Sequence, residues 1–289
     1  MNLYLIDGNS YVYRAYYAIR GLSNSKGFPT NAIYGFTNML LKIIREKKPD
    51  NIVVTFDSPV PTERHRIYEE YKAQRPETPG DLVEQLPYIR KIISAFNIKI
   101  FEIPGYEADD IIGTIAKKVA SEEIDVFIVT ADKDMLQLVN NKVKIYDPMK
   151  DKILDERYTK ERFGVVPERI TEFMALTGDA VDNIPGVPGI GPKSAAALLG
   201  HFGDLDSLYQ RLDEVPYLSL RGAKSVHRKL NDHREAAQLA RQLTLISRDV
   251  ASALASPDIS RGAADTARLN RLFDELQFGG MLRQRCLRA

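Results

Sequence analysis

Leu3-Tyr4-Leu5-Ile6-Asp7 opens the chain with four apolar residues and then a carboxylate, and the arrangement recurs. Ile52-Val53-Val54-Thr55-Phe56 runs into Asp57, and Val126-Phe127-Ile128-Val129-Thr130 is followed by Asp132 and Asp134. Short apolar runs of this kind read as buried strands. Two more are expected at 98–103 and 143–146, with helical stretches at 33–45, 82–96 and 108–120 between the strands. Strand alternating with helix up to about residue 165 predicts an α/β fold, a mostly parallel central sheet flanked by helices on both faces. Ligands of such sheets gather beyond the carboxyl ends of the strands, where these acids fall.

Strands that all end in carboxylates crowd negative charge along one edge, and a divalent cation relieves the repulsion. Hard oxygen donors without a matching His or Cys set favour Mg²⁺ or Mn²⁺ over Zn²⁺. Glu107, Asp109 and Asp110 open the helical stretch at 108–120, and three acids exceed what the helix dipole needs. Glu107 and Asp110 are three apart and adjacent, whereas Asp109 points elsewhere, so metal binding by all three requires two metals or water-mediated roles. Asp179 and Asp182 form another pair on one face of a helix or tight turn. Read alone, they are a turn residue and a solvated acid.

With 289 residues the chain has room for one or two domains and a sizeable core. Hydrophobic and charged shares of 44% and 27% are those of a globular protein in water, and no apolar run approaches the roughly 18 residues that span a bilayer. The first residues lack a basic region and a long apolar region, so they read as a strand and not as a signal peptide, and a cytoplasmic location is expected. Cys286 is the single cysteine, which excludes an internal disulfide and any multi-cysteine zinc site. The net charge of +1 conceals an uneven distribution: between 219 and 248, Arg221, Lys224, Arg228, Lys229, Arg234, Arg241 and Arg248 stand against Asp232 and Glu235. An acidic pocket with a basic surface suits a metal enzyme acting on a polyanion, although the basic stretch alone reads equally well as a solvated helix face.

The stretch at about 58–81 is rich in proline and charge and poor in core residues, so it is expected to project as a lid, with a short helix or two over 63–74. If helical, Tyr71-Lys72-Ala73-Gln74-Arg75 sets Lys72 and Arg75 on one face, suited to gripping a scissile phosphate, with Tyr71 available to stack on a base. Arg14, on the helix after Asp7, is a further candidate phosphate contact. Beyond 165 the pattern becomes helical, starting at Pro167, with a linker expected at 251–264 and an amphipathic helix at 269–282. Gly186-Val187-Pro188-Gly189-Ile190-Gly191-Pro192-Lys193 is the sharpest local signal. Gly186, Gly189 and Gly191 permit a tight turn, Pro192 fits the first helical position, and Lys193 adds a cation to the helix N-terminus. This is the helix-hairpin-helix pattern, a sequence-independent grip on phosphate.

In this order, Leu5-Ile6-Asp7-Gly8-Asn9-Ser10, Phe56-Asp57, Tyr71-Lys72-Ala73-Gln74-Arg75, Tyr106-Glu107-Ala108-Asp109-Asp110, Thr130-Ala131-Asp132-Lys133-Asp134, Gly178 to Asn183 and Gly186 to Lys193 carry a resemblance. From end to end the chain resembles the 5′ nuclease domain of bacterial DNA polymerase I and, more distantly, phage and cellular flap endonucleases. Gln74 departs from the Asn usual there. With no polymerase domain before Ala289, a free-standing homologue and a fragment are both open. The resemblance implies a PIN-like or resolvase-like nuclease domain over 1–165 with its lid at about 58–81, a helical DNA-binding domain with a helix-hairpin-helix over 166–262, and a C-terminal helix over 263–289. It implies Asp7, Asp57, Glu107, Asp109, Asp110, Asp132, Asp134, Asp179 and Asp182 as ligands of two or more Mg²⁺ or Mn²⁺ ions. Lys72 and Arg75 would be the cationic catalytic pair and Tyr71 the base-stacking residue, with K⁺ at the hairpin carbonyls.

The activity so implied is 5′-3′ exonuclease and structure-specific 5′-flap endonuclease hydrolysis of branched or nicked double-stranded DNA and of RNA primer–DNA. It would serve replication and repair, carried out by a monomer with a DNA polymerase as candidate partner. The competing class is a branched-DNA-binding module without catalysis. The complete acid set argues against it, because without metal those carboxylates would repel one another and DNA alike. A related metal-dependent ribonuclease would leave the lid and the duplex grip without a purpose.

Overall fold

A computed structural model describes residues 1–250, 254 and 257–286. Five parallel strands, β1 (Asn2–Asp7), β2 (Asn51–Thr55), β3 (Lys99–Phe101), β4 (Asp125–Val129) and β5 (Val143–Asp147), form one sheet with β6 (Lys152–Leu154), which runs antiparallel to β5. Their spatial order is β3-β2-β1-β4-β5-β6. The chain winds outward from β1 through β2 and β3, then crosses back to place β4 on the other side of β1. The winding therefore reverses between β1 and β4, and the crevice at their carboxyl ends is the natural ligand position of such a sheet.

Burial explains why the strands read as continuous apolar runs: both faces are covered. Leu3, Leu5, Val53, Val126, Ile128, Val143 and Ile145 point to one face, under helix Ala108–Val119. Tyr4, Ile6, Ile52, Val54, Val129 and Tyr146 point to the other, under helices Gly8–Ala18, Asn31–Lys42, Leu86–Ala95 and Thr266–Leu276. The first face continues without a break into the helical part, where Met135, Leu136 and Leu138 meet Phe173, Met174 and Leu198. That part comprises the turn Pro167–Arg169, which starts at Pro167 as expected, and helices Ile170–Thr177, Pro192–Phe202, Leu205–Gln210, Ala223–Asp232 and Arg234–Thr244. No helix among the described residues is long and apolar enough to cross a membrane.

Several elements differ from expectation. The strand expected at 98–103 is only Lys99–Phe101, and β6 is too short to leave a periodic signal. The helix expected to 45 passes at Ile43–Lys47 into a wider π turn, which Lys48 ends with a left-handed φ of 47°. The helix expected at 269–282 is two helices, Thr266–Leu276 and Gly280–Cys286, because Gln277 adopts a left-handed φ of 59°. Of the linker at 251–264, residues 251–253 and 255–256 lie outside the described residues, and 257–264 form neither helix nor strand.

The segment at 58–81, expected as a lid, is anchored at its base by one side chain. Helix Glu63–Ile67 is its only helix before Gly80, and Arg64 points inward from it, 9% exposed. Arg64 donates to both oxygens of Asp110 at 2.7 and 2.8 Å, and to the carbonyls of Leu243 and Leu245 at 2.9 and 2.8 Å. The backbone N–H of Ser247 completes the shell of Asp110 at 2.8 Å. The segment at 58–81, the start of helix Ala108–Val119 and the end of helix Arg234–Thr244 thus meet on buried Arg64, whose main ionic partner is Asp110 with Glu107 at 3.5 Å. Arg64→Ala strands the Asp110 carboxylate and should cost about 3–5 kcal/mol in urea unfolding. The double variant with Asp110→Ala should lose less than the two single losses combined, and strict additivity would contradict this pairing.

Candidate active site

Asp7 is the last residue of β1 and caps the helix that follows, its Oδ1 accepting from the Ser10 N–H at 3.0 Å. Its Oδ2 accepts from the Thr130 hydroxyl at 3.0 Å, so the residue just after β4 holds the acid that ends β1. Asp57, two residues past β2, accepts from Asn9 Nδ2 at 2.9 Å and from the Ala108 N–H at 2.8 Å, which ties it to the acid-bearing helix start. Asp132 accepts from the Asp134 N–H at 2.9 Å. Asn9 and Thr130 are positioning residues that sequence reasoning did not single out.

These carboxylates repel one another. Burial, together with Asp57 and Asp132, pushes Asp7 up to about 7 against the opposing Ser10 hydrogen bond. Burial raises Asp109 well above the ordinary range, with Asp132 and Asp7 adding to it. Asp57 and Asp132 are raised mainly by burial. Asp109 thus feels Asp132, Asp7 and Glu107 together, whereas Glu107 and Asp110 both approach Arg64, at 3.5 and 2.7 Å.

A second group lies beside the first. Asp134, Asp179 and Asp182 are buried, and each offers a carboxylate oxygen within 4.8 Å of the other two. Burial and Asp132 push Asp134 up to about 7. Asp179 and Asp182 belong to a tight loop closed by two backbone hydrogen bonds between Asp179 and Ile184, of 2.9 and 2.8 Å. Lys133, also missed in the sequence, bridges the group, with its ammonium 3.1 Å from Asp134 and 2.6 Å from Asp179. A lysine flanked by two acids at a strand end was the available signal.

Lys72 and Arg75 reach the same place from the lid, though not from a helix. Turns run from Glu69 to Ala73 and on to Gln74, and Lys72 has a left-handed φ of 58°. The Lys72 ammonium lies 3.0 Å from Glu107 and 3.8 Å from Asp182, and Arg75 lies 2.5 Å from Asp182. Burial opposes the charge on Lys72, but Glu107, Tyr71, Asp182 and Asp109 together outweigh it and raise its pKa. Burial likewise opposes the charge on Glu107, which Lys72 and Arg64 nevertheless hold below the ordinary range. The turn is strapped to the 179–184 loop: Lys72 N–H donates to the Asp182 carbonyl at 3.0 Å, Gln74 to that of Ala180 at 2.7 Å, and Asn183 to that of Glu70 at 2.7 Å.

Three assignments need correction. Asp110 is not free to hold a metal, since the Arg64 guanidinium takes both its oxygens. Tyr71 is not placed to stack on a base: it is 4% exposed, its hydroxyl donates to Glu107 at 3.1 Å, and its ring packs against His65 and the Lys72 ammonium. Gly186 faces inward, where a Cβ would stand 2.2 Å from the Gly178 nitrogen. Gly189, Gly191 and Lys193 are exposed, with Gly191 and Pro192 opening helix Pro192–Phe202 as expected. Arg14 is partly buried and makes no ion pair among the described residues. Of the basic stretch, Arg241 is committed to Asp206 and Arg248 to the Gln137 carbonyl.

A carboxylate-lined edge at the switch point of a parallel sheet, completed by an acidic loop from an adjoining helical part, defines a nuclease of resolvase-like fold. Residues 2–164 match the family model of the 5′-3′ exonuclease N-terminal resolvase-like domain, and 165–267 that of the 5′-3′ exonuclease C-terminal SAM fold. The chain belongs to the 5′-3′ exonuclease family. It is 38% identical to a 5′-3′ exonuclease of Aquifex aeolicus over 98% of its own length and 94% of that protein's. It is 44% identical to DNA polymerase I of Pseudomonas aeruginosa, spanning 97% of this chain but 31% of the polymerase. The fold is shared with bacteriophage T5 5′-exonuclease bound to divalent zinc ions (TM-score 0.68, 22% identity, 96% of this chain and 98% of that one). It is shared too with the catalytic core of Rad2 in complex with DNA substrate (TM-score 0.67, 16% identity, 98% and 90%).

The crowding has a measurable sign. The stability contributed by Asp7 is complete below its ordinary value of 3.8 and is lost as pH rises through about 7. In EDTA, Asp7→Asn, which retains the helix cap, should melt slightly above wild type at pH 5 and by a clearly larger margin at pH 8. A melting difference that does not change with pH would contradict the crowding. Gly186→Ala should lower the melting temperature sharply because backbone obstructs its Cβ, whereas Gly191→Ala meets nothing within 4 Å and should lower it only slightly, through the poorer helix cap.

Proposed function

We propose that this nuclease hydrolyses phosphodiesters of DNA as a 5′-3′ exonuclease and as a structure-specific endonuclease at 5′ flaps, using Mg²⁺ or Mn²⁺. The observation that carries the reading is the convergence of buried, mutually repelling carboxylates from two groups with lid cations above them. The donor set fits such ions: it is all oxygen, and its ionised state is penalised until a cation joins it. Asp7, Asp57, Glu107, Asp109 and Asp132 would hold one ion, and Asp134, Asp179 and Asp182 another. Bound there, a divalent ion supplies activation of water and neutralisation of charge at the scissile phosphate.

The chain's own contribution is position and charge. Lys72 and Arg75 are held at the rim by Glu107 and Asp182, where an arriving phosphate competes with those carboxylates for both cations. Lys133, between Asp134 and Asp179, reduces repulsion in the second group. The Gly186–Lys193 hairpin, through exposed backbone at Gly189 and Gly191 and the Lys193 ammonium, would hold the duplex, with Arg14 as a further phosphate contact. Branched or nicked duplexes and RNA primer–DNA are the proposed substrates of a monomer. The relatives named DNA polymerase I support a polymerase as partner.

Incubation with labelled 5′-flap DNA, nicked duplex and single-stranded RNA, in Mg²⁺ and in EDTA, tests the reading. Cleavage confined to the flap and nicked substrates and abolished by EDTA is expected, and cleavage that survives EDTA would overturn it. Lys72→Ala should lower kcat by about 10²–10³-fold while duplex affinity changes little, and equal losses in both would make Lys72 a binding residue only.

A further inference from the structure

The two carboxylate groups are balanced by different means. Asp7, Asp57 and Asp132 accept from neutral donors, whereas every acid of the second group meets a cation: Asp182 meets Arg75 and, at 3.8 Å, Lys72, while Asp134 and Asp179 share Lys133. Other lysines have simpler surroundings. Lys47 meets one acid, Asp151, at 2.7 Å, and Lys229 meets a neutral carbonyl, that of Gly189, at 3.3 Å. The Lys133 ammonium instead bridges two buried acids, donating to Asp134 Oδ1 at 3.1 Å and, across 46 residues of sequence, to Asp179 Oδ2 at 2.6 Å.

Those acids are two of the three carboxylates that a divalent ion in this group would use. The other oxygen of Asp179 is already engaged, since its Oδ1 accepts from the Val181 N–H at 3.0 Å, so Oδ2 is the oxygen best directed at an ion. An ion seated about 2.0–2.1 Å from that oxygen would stand within a few ångströms of the ammonium, and like charges that close repel strongly in a buried site. The lysine is free to yield. Its side chain is 41% exposed, against 16% for Lys72 and 10% for Arg64, so the ammonium can turn into solvent without opening the core. We propose that Lys133 is an exchangeable stand-in for the second divalent ion: its ammonium holds Asp134 and Asp179 together until the ion arrives, then turns outward and leaves both carboxylates to the metal. The second group therefore takes its ion only in competition with the lysine.

This rests on the metal-binding role proposed for the second group, so the experiment separates the two. Mn²⁺ binding is measured without DNA, by electron paramagnetic resonance of the free ion, for wild type, Lys133→Met, Lys133→Gln and Asp179→Asn. Melting temperatures are taken in EDTA and in saturating Mn²⁺. The ion of the second group is the one that Asp179→Asn loses. It should bind roughly tenfold more tightly to both Lys133 variants than to wild type, because no ammonium has to be displaced. In EDTA both variants should melt below wild type, with Asp134 and Asp179 left to repel each other, and saturating Mn²⁺ should erase that deficit. A lysine that only braces the turn after β4 would give the same deficit with and without Mn²⁺, and no gain in Mn²⁺ affinity. Either result would overturn the proposal and leave the two-ion reading intact. Mn²⁺ binding that Asp179→Asn does not alter would overturn the metal reading of this group and the proposal with it.

Discussion

Mutual repulsion among carboxylates at the carboxyl edge of β1 and β4 is the constraint around which the molecule is arranged. The parallel sheet brings Asp7 and Asp132 to the switch point, and helix Ala108–Val119 adds Asp109, so none of the three can ionise without opposing the others. Each acid is then restrained by neutral donors: Ser10 and Thr130 for Asp7, Asn9 and Ala108 for Asp57, the Asp134 N–H for Asp132. Neutral donors orient a carboxylate without cancelling its charge. The edge remains a site of net negative potential, which suits a cation far better than it suits a nucleic acid alone.

The protein's own cations are kept at the margins of that edge. Arg64 is buried against Asp110 and takes it out of the metal set, converting an apparent ligand into the joint between lid, nuclease helix and helical part. Lys72 and Arg75 touch the acids from above, and their turn is held to the 179–184 loop by backbone and amide hydrogen bonds. Gln74, the one departure from the family's usual residue in this string, supplies one of those straps. Its longer side chain has a structural use here, which position in the sequence alone did not reveal.

What was legible in the sequence was local. Apolar runs ending in acids gave β1, β2 and β4 with their carboxylates, because both faces of those strands are buried and no charged residue interrupts the runs. The hairpin was legible from glycine and proline spacing. Long-range pairing was not: the partner of Asp110 is 46 residues away, and that of Gly189 is 40 residues away, in segments whose composition is ordinary. Tyr71 was misread because proximity to Lys72 suggested substrate, whereas its hydroxyl completes the surroundings of Glu107. Backbone at positive φ, as at Lys72, Asn183 and Gln277, bends the chain where side-chain periodicity alone would have continued an element.

The acidic loop and the hairpin are mechanically one piece. Gly178 and Gly186 lie so close that a side-chain carbon on Gly186 would overlap the Gly178 nitrogen, and the two backbone bonds between Asp179 and Ile184 close the loop between them. Little slack separates Asp182 from the start of the hairpin: Asn183 donates to Glu70, Ile184 is held by Asp179 and the core, and Pro185 has its φ fixed by its ring. A displacement of the hairpin would therefore be passed to Asp179 and Asp182, whereas Asp134 is placed by the turn that follows β4 and is joined to Asp179 through Lys133. Correct seating of the proposed substrate and correct spacing of the second carboxylate group are in this way the same geometric condition, set by two glycines that have no room for anything larger.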